Sequence, residues 1–412
     1  MPGRYSRLNK RLVCALVSEP IELLPSPEID ENLLASERLE NLRGTMLVDG
    51  LEVLVLTNPV SIRYATGYRA YSSFQSRIPS AYAIVPLVGP IIMHGAYIED
   101  LALVEVSRRS HAIPSFDAGL DLSIAADRFA ADIERALTEL GYDSRDSIGI
   151  ERTTPTGHRA FADIGLNVFD AEPTIELARS RKSDLEMVAL DYSIAVAEYG
   201  MTLMERALEP GVTENQLFAL LHQTNIAHDG DWIDGRMLCS GPRTNPWYQE
   251  ASHRTIEQGD MVAFDTDMIG PYGYCADISR TWVCGDDPSP DQRDLYKRAL
   301  EEIWHNTSLL HVGASFAELS QNAYRQPDAY VANRYACVYH GVGMSDEYPK
   351  IPYPQDWEWT GYDGELEDGV VLSVESYVGA EGGSQGVKLE QMVRVTSGGV
   401  EALSSYPLWD PS

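Results

Sequence analysis

Positive charge is scarce in this chain. Its 412 residues carry 32 Lys and Arg against 62 Asp and Glu, a formal net charge of −30. A surface of that sign repels nucleic acid and anionic membranes, so neither is an expected partner. Cysteine is sparse as well. Cys14, Cys239, Cys275, Cys284 and Cys337 are odd in number, and no two are spaced Cys-x-x-Cys. That argues against a disulfide framework and a thiolate zinc knot, and reads as reduced thiols in a cytoplasm. Cys275 and Cys337 are expected to be small buried hydrophobes. Long apolar runs are missing too. The run Leu12 to Val17, behind a few basic residues, is too short for a signal-peptide core or a membrane span. The chain shows no internal repeat and no low-complexity tract.

What remains is ordinary for a globular protein: 44% hydrophobic and 23% charged residues, in a chain long enough for two substantial cores. Residues 1–35 read as an arm. LEVLVLTNP reads as a strand, and SAYAIVPLVGPIIMHG as a hairpin turning at Gly-Pro. Ile124, Phe129, Ile133, Leu137 and Leu140 form one helical stripe closed by Gly141. IGIER and TTPTGHRAFADIG add a strand and a helix. This alternation predicts an α/β domain over residues 36–172. Capping boxes at Ser183–Glu186 and Thr213–Gln216 then open two helices, the first running to about Ala207. A third spans about Pro290 to Leu310. With the strands between them they predict an α+β domain over residues 173–412.

The later strands carry an unusual set of side chains: Asp265, Asp267 and Asp277 in FDTDMIGPYGYCADISRTW, His340 in YHGVGM, Glu375 in VLSVES and Glu390 in VKLEQMV. Each sits within or at the end of an apolar run. A buried ionised carboxylate without a partner costs several kcal/mol or more, on the order given by ion desolvation. No cluster of Lys or Arg lies near these acids in the sequence, so a bound metal is the expected partner. Oxygen donors plus one imidazole suit Fe, Mn, Co or Zn, as one ion or two; iron is the metal expected here, with Ni also compatible. Asp265 and Asp267, two apart, would share a strand face, and the turn at Gly270–Gly273 would return Asp277 beside them. Lys388, Glu390, Met392 and Arg394 alternate with Val387, Leu389, Gln391 and Val393, which turns Glu390 away from its apolar neighbours and towards a site.

The order Asp, Asp, His, Glu, Glu, with DISRT, HGVGM and KLE around it, resembles the creatinase/prolidase/methionine aminopeptidase ("pita-bread") family. EPGVTENQ and NPVSIRYATGY resemble its two-domain branch. The resemblance implies a creatinase-like N-terminal domain, a pita-bread catalytic domain holding the metal on the six groups above, and a homodimer. SGPRTNPW, FDTDMIGPYG, HGVGMSDEYP and KLEQ look like a lyase branch acting on dimethylsulfoniopropionate. Two departures from the peptidases agree with that. Their second His, seven residues after the metal His, is replaced by Asp346 and Glu347 in a segment one residue shorter. Their His ahead of the first metal Asp gives way to Asn245-Pro246-Trp247-Tyr248. Without both imidazoles, peptide hydrolysis lacks its usual proton carriers.

In the lyase reading, a metal would act as a Lewis acid on the substrate carboxylate and raise the acidity of the α-proton. By resemblance Asp346 would take that proton and Tyr335 would position it, releasing dimethyl sulfide and acrylate. The cationic sulfonium favours an aromatic cage, for which Phe74, Trp247 and Tyr248 are candidates. By the resemblance, Phe74 falls where the lyase branch carries a Trp, in a loop that otherwise departs from it. A small-molecule substrate follows either way. The alternatives are a Xaa-Pro dipeptidase-type hydrolase, a creatinase-like C–N hydrolase and a non-enzymatic binding protein.

Overall fold

A computed structural model describes residues 21–69, 76, 80–95, 101–109, 121–143, 145–285 and 287–409. The chain divides into two compact units. Among the described residues, one comprises those of 28–187 with 343–348, the other those of 21–27, 188–342 and 349–409.

The first unit is built on six strands: β1 (Val53–Leu56), β2 (Tyr82–Pro86), β3 (Ile91–His94), β4 (Val104–Arg108), β5 (Ile148–Ile150) and β6 (Val168–Asp170). Their order is β4-β3-β2-β1-β5-β6, with β1 antiparallel to β2 and parallel to β5. The continuous VLVL of β1 is buried at every position, as a strand covered on both faces requires. The helices are α1 (Glu31–Asp49), α2 (Pro59–Thr66), α3 (Leu122–Leu140), α4 (Pro155–Asp163) and α5 (Glu172–Ser180). Val53 and Val55 face Phe129 and Ile133 of α3 and Phe161 of α4. Each such side chain contributes about 1.5–3 kcal/mol by leaving water. The α3 stripe differs from expectation at its start. Ile124 is exposed, and the alanines 126, 130 and 136 complete the buried face, because small residues let α3 and α4 approach closely. Gly141 closes α3 at φ 86, a left-handed backbone that suits glycine.

α6 (Asp184–Ala207) begins with the expected capping box: Ser183 N–H donates to Glu186 Oε2 at 2.9 Å, and Glu186 N–H to Ser183 Oγ at 3.2 Å. In the second unit α7 (Glu214–Ala227) and α8 (Pro290–Leu309) start on capping boxes at Thr213 and Ser289. Around them run β7 (Trp232–Ile233), β8 (Leu238–Ser240), β9 (Met261–Asp265), β10 (Met268–Ile269), β11 (Cys275–Ala276), β12 (Ser279–Val283), β13 (Tyr339–Val342), β14 (Asp346–Ile351), β15 (Val370–Gly379), β16 (Gly386–Thr396) and β17 (Gly399–Ala402). They form sheets β11-β10-β7, β12-β9-β8 and β14-β13-β15-β16-β17. Helices packed on largely antiparallel sheets make the α+β arrangement that the sequence predicts. The first helix starts at Glu31, inside the stretch read as an arm. Ahead of it, Leu24 N–H donates to His228 Nε2 at 3.0 Å, and Tyr272 OH donates to the Pro27 carbonyl at 3.0 Å.

Candidate metal centre

Three pairings of the second unit bring distant acids together. β15 and β16 pair in a register that sets Glu375 directly opposite Glu390. β9 pairs with β12 so that Ser279 faces Asp265, which returns Asp277 to the end of β9. β13 pairs with β15 with His340 opposite Ser373, one diagonal step from Glu375. The strands are locked by side chains as well as by their ladders. Thr281 Oγ1 donates to the Lys388 carbonyl at 2.8 Å and accepts from its N–H at 3.0 Å. Arg280, from DISRT, is buried and donates to the carbonyls of Ser279, Glu390, Tyr406 and Pro407 and to Gln391 Oε1.

The result is a nearly dry nest. Asp265 and Asp277 are 2% exposed, Glu375 and Glu390 are fully buried, and His340 is 7% exposed. His340 Nε2 lies 3.2 Å from Glu375 Oε1, 3.5 Å from Asp277 Oδ2 and 3.6 Å from Glu390 Oε1. Its Nδ1 lies 3.1 Å from the Gly341 carbonyl, which can only accept, so Nδ1 carries the proton there. Nε2 then faces three carboxylates, an arrangement that calls for a cation among them. Asp265 Oδ1 and Glu390 Oε1 are buried with no hydrogen-bond partner among the described residues. Ligand atoms of His340, Glu375 and Glu390 lie within 4.8 Å of one another, as do those of Asp265, Asp277 and Glu390. Carboxylate oxygens and one imidazole fit a divalent transition metal.

A resident cation is also present, although no cluster of Lys or Arg lies near these acids in the sequence. Lys388, two residues before Glu390 on the same face of β16, is fully buried. Its Nζ sits 2.6 Å from Glu375 Oε2, 3.1 Å from Glu390 Oε2, 3.3 Å from Asp265 Oδ2 and 2.7 Å from Ser279 Oγ. The alternation of β16 was visible in the sequence. What the sequence does not show is that this face of β16 is sealed, so that the ammonium joins the charge balance. The nest holds four carboxylates, three of them against one ammonium, so it remains short of positive charge. Burial and then Glu390 push Asp265 up to about 7, and they raise Glu375 too. Burial would also raise Glu390, but Lys388 and then His340 hold it well below the usual carboxylate range. For Lys388 the three carboxylates outweigh burial and keep it charged.

The other candidates fall out as follows. Asp267 is not in either ligand group. β9 ends at Asp265, and Asp267 adopts a left-handed φ of 38°, so the two acids do not share a strand face as expected. Its carbonyl accepts from Asp234 N–H at 3.0 Å. Trp247 is 4% exposed and packs with Cys239, Ala263 and Tyr377. The rings of Trp247 and Tyr335 do face a cation, but it is Lys388, with Nζ 5.9 Å and 4.4 Å from their centroids. Tyr248 is 56% exposed and stacks on Tyr335 at 5.4 Å. Phe74 lies outside the described residues. Asp346 is exposed and opens β14. Glu347, in the first unit, is buried against Arg179, whose Nη2 is 2.8 Å away, and against Lys182. Cys275 and Cys337 are buried as expected, and burial pushes the Cys337 thiol up to about 12, so it stays protonated.

Behind Glu375, Glu302 of α8 is buried among neutral donors: Tyr353 OH at 2.9 Å, Ser376 Oγ at 2.7 Å and Gln326 Nε2 at 2.7 Å. Burial pushes it from 4.5 up to about 7. A carboxyl whose folded value is raised lends stability that is complete below its unfolded value and is lost as pH climbs through the folded one. Glu302→Gln keeps the shape and removes the titration. Denaturant unfolding of metal-free protein is expected to show wild type losing about 2–3 kcal/mol relative to this variant between about pH 5 and 7. Parallel pH profiles would contradict the assignment.

Residues 189–397 match Metallopeptidase family M24, and residues 38–181 match the Creatinase/Prolidase N-terminal domain. The chain belongs to family M24. Among curated relatives, dimethylsulfoniopropionate lyase DddP of Roseovarius nubinhibens is 34% identical over 370 residues, covering 87% of this chain and 82% of that protein. Dimethylsulfoniopropionate lyase DddP of Roseobacter denitrificans is 33% identical over 394 residues, covering 92% and 88%. Among solved structures, a Xaa-Pro dipeptidase from Bacillus anthracis superposes with TM-score 0.73 at 22% identity, covering 91% of this chain and 99% of that one. The fold of this M24 member is thus a creatinase-like N-terminal domain followed by a pita-bread domain, and the acid-rich nest lies within the M24 match.

Proposed function

We propose that this chain is a metal-dependent carbon–sulfur lyase that cleaves dimethylsulfoniopropionate, or a similar onium acid, to dimethyl sulfide and acrylate. The observation that carries the reading is likeness to two DddP lyases along nearly the whole chain. Glu347 supports it. In M24 peptidases the resemblance implies a second His at this point of the chain. Here the side chain is sealed in an ion cluster with Arg179 and Lys182, both its oxygens engaged. It cannot serve as the proton carrier that peptide hydrolysis uses.

Asp265, Asp277, His340, Glu375 and Glu390 would hold the metal, iron in this reading. Bound there, it supplies Lewis acidity towards the substrate carboxylate. The chain's own residues do the rest. Asp346, six residues after His340, takes the α-proton as an ionised carboxylate, the electron pair forms the α–β double bond, and the C–S bond breaks to release the sulfide. Tyr335, fixed between Lys388 and the ring of Tyr248, orients the substrate-side groups. The half-exposed Tyr248 offers a ring face to the sulfonium. The protein would work as a cytoplasmic homodimer. No helix among the described residues is long and apolar enough to cross a membrane.

Headspace detection of dimethyl sulfide, run beside Xaa-Pro dipeptide cleavage on one metal-loaded sample, tests the assignment. Sulfide release without dipeptide cleavage is the expected outcome. Brisk dipeptide cleavage with no sulfide would make the chain a dipeptidase.

A further inference from the structure

The hairpin of β15 and β16 carries its acids on one face. Glu375 lies opposite Glu390, the next row of that face pairs Tyr377 with Lys388, and the last row pairs Gly379 with Gly386. A Cβ added at Gly379 would stand 2.5 Å from the Tyr377 hydroxyl and 2.7 Å from Asn245 Oδ1, and one at Gly386 would strike the same hydroxyl. The two glycines thus leave a seat at the tip of the hairpin, and Asn245 fills it. Its side chain is buried. Nδ2 donates to the carbonyls of Ala380 at 2.8 Å and Gly383 at 2.9 Å, which fixes the orientation of the amide, because carbonyls only accept. Oδ1 accepts from Asn333 Nδ2 at 3.0 Å and lies 3.0 Å from the Tyr377 hydroxyl, which donates to the Thr244 carbonyl at 2.7 Å.

Two loops meet at this seat. One leads from Asn245 to Trp247 and Tyr248, the other from Asn333 to Tyr335. They are joined again where Ala336 N–H donates to the Tyr248 hydroxyl at 3.2 Å. Beside that tie the Tyr248 and Tyr335 rings stack, 21° from parallel. Asn245 therefore bonds the turn of the hairpin, its tyrosine and the second loop at once.

We propose that Asn245 is a positioning residue for recognition of the cationic end of the substrate. It holds the Tyr248 and Tyr335 rings in one arrangement beside the acid-bearing face, so that an onium group meets preset ring faces and binding does not have to order them. This inference rests on the lyase reading, and the test separates the two.

Metal-loaded full-length protein is assayed for inhibition of sulfide release by two acids of the same shape. One is the cationic 3-(trimethylammonio)propionate, the other 4,4-dimethylpentanoate, which has an uncharged carbon in place of the nitrogen. Wild type is expected to bind the cationic acid about tenfold more tightly. Asn245→Ala is expected to narrow that ratio to about threefold or less and to raise KM in step, with metal content unchanged. Asn333→Ala, at a less buried residue, cuts the ties of the second loop to Asn245 and to the Ala380 carbonyl. It should narrow the ratio in the same direction, and it decides the matter if the Asn245 variant fails to fold. Both acids weakened alike in a folded variant would mark a merely structural role and overturn the proposal alone, as would equal binding of the two acids by active wild type. No sulfide release by wild type would overturn the lyase reading and this inference with it.

Discussion

His340→Ala protein is expected to be purified with almost no metal and to show no lyase activity. The imidazole is the one nitrogen donor in the nest, and its Nε2 is the point at which Asp277, Glu375 and Glu390 converge. Loss of an outer hydrogen-bond partner to a ligand costs about 10–100-fold in affinity, so loss of the ligand itself should exceed about 100-fold. The fold should survive, because Ala relieves burial of a polar ring and Lys388 still neutralises part of the acid cluster. Elemental analysis with a circular-dichroism melt measures both. Asp277→Ala should behave alike. Full activity in a metal-free His340→Ala sample would remove the metal from the mechanism.

The second large effect is expected at Asp346. Asp346→Asn keeps the size of the side chain and cannot accept a proton from carbon. Turnover for sulfide release should fall by about 10²–10⁴-fold, the range for a lost general base, with metal content and substrate affinity near wild type. The split between the kinetic constants carries the information. A structural role at the start of β14 would raise KM or lower stability, whereas a base role lowers kcat with little change in KM. A variant within about threefold of wild-type kcat would exclude Asp346 as the base and leave the metal nest unaffected.

Much of this architecture was legible because its signals are local. The capping boxes at Ser183 and Thr213, the continuous apolar run of β1 and the glycine after α3 each follow from a few neighbouring residues. The acids on β9, β15 and β16 were legible because charge inside an apolar run is conspicuous whatever it faces. Three features were not. Lys388 could be placed on the face of Glu390, but only the pairing of β15 with β16 and the packing of β12 show that this face is sealed. Asp267 was placed by strand alternation, which fails where the chain leaves β9 through a left-handed residue. Trp247 was assigned to a substrate cation and Tyr335 to positioning Asp346, and spacing alone cannot reveal that a lysine of the same chain faces both rings. The contacts of Lys388 with Asp265, Trp247 and Tyr335 join segments more than 50 residues apart.

Arg280 ties the ligand strand to the last described stretch of the chain. Its guanidinium reaches the carbonyls of Glu390, Tyr406 and Pro407, while Glu198 of α6 gathers the N–H groups of Ser405 and Tyr406. Burial lowers the Arg280 pKa to about 10, still far above neutrality, so the charge persists inside the protein and depends on those carbonyls for solvation. The segment from Ser404 to Pro407 therefore works as a keystone. It bears no ligand, yet it completes the shell of oxygen around a buried cation whose other hand holds the backbone of Glu390. A nest as dry as this one inherits its rigidity from a strap of chain that lies past its final ligand.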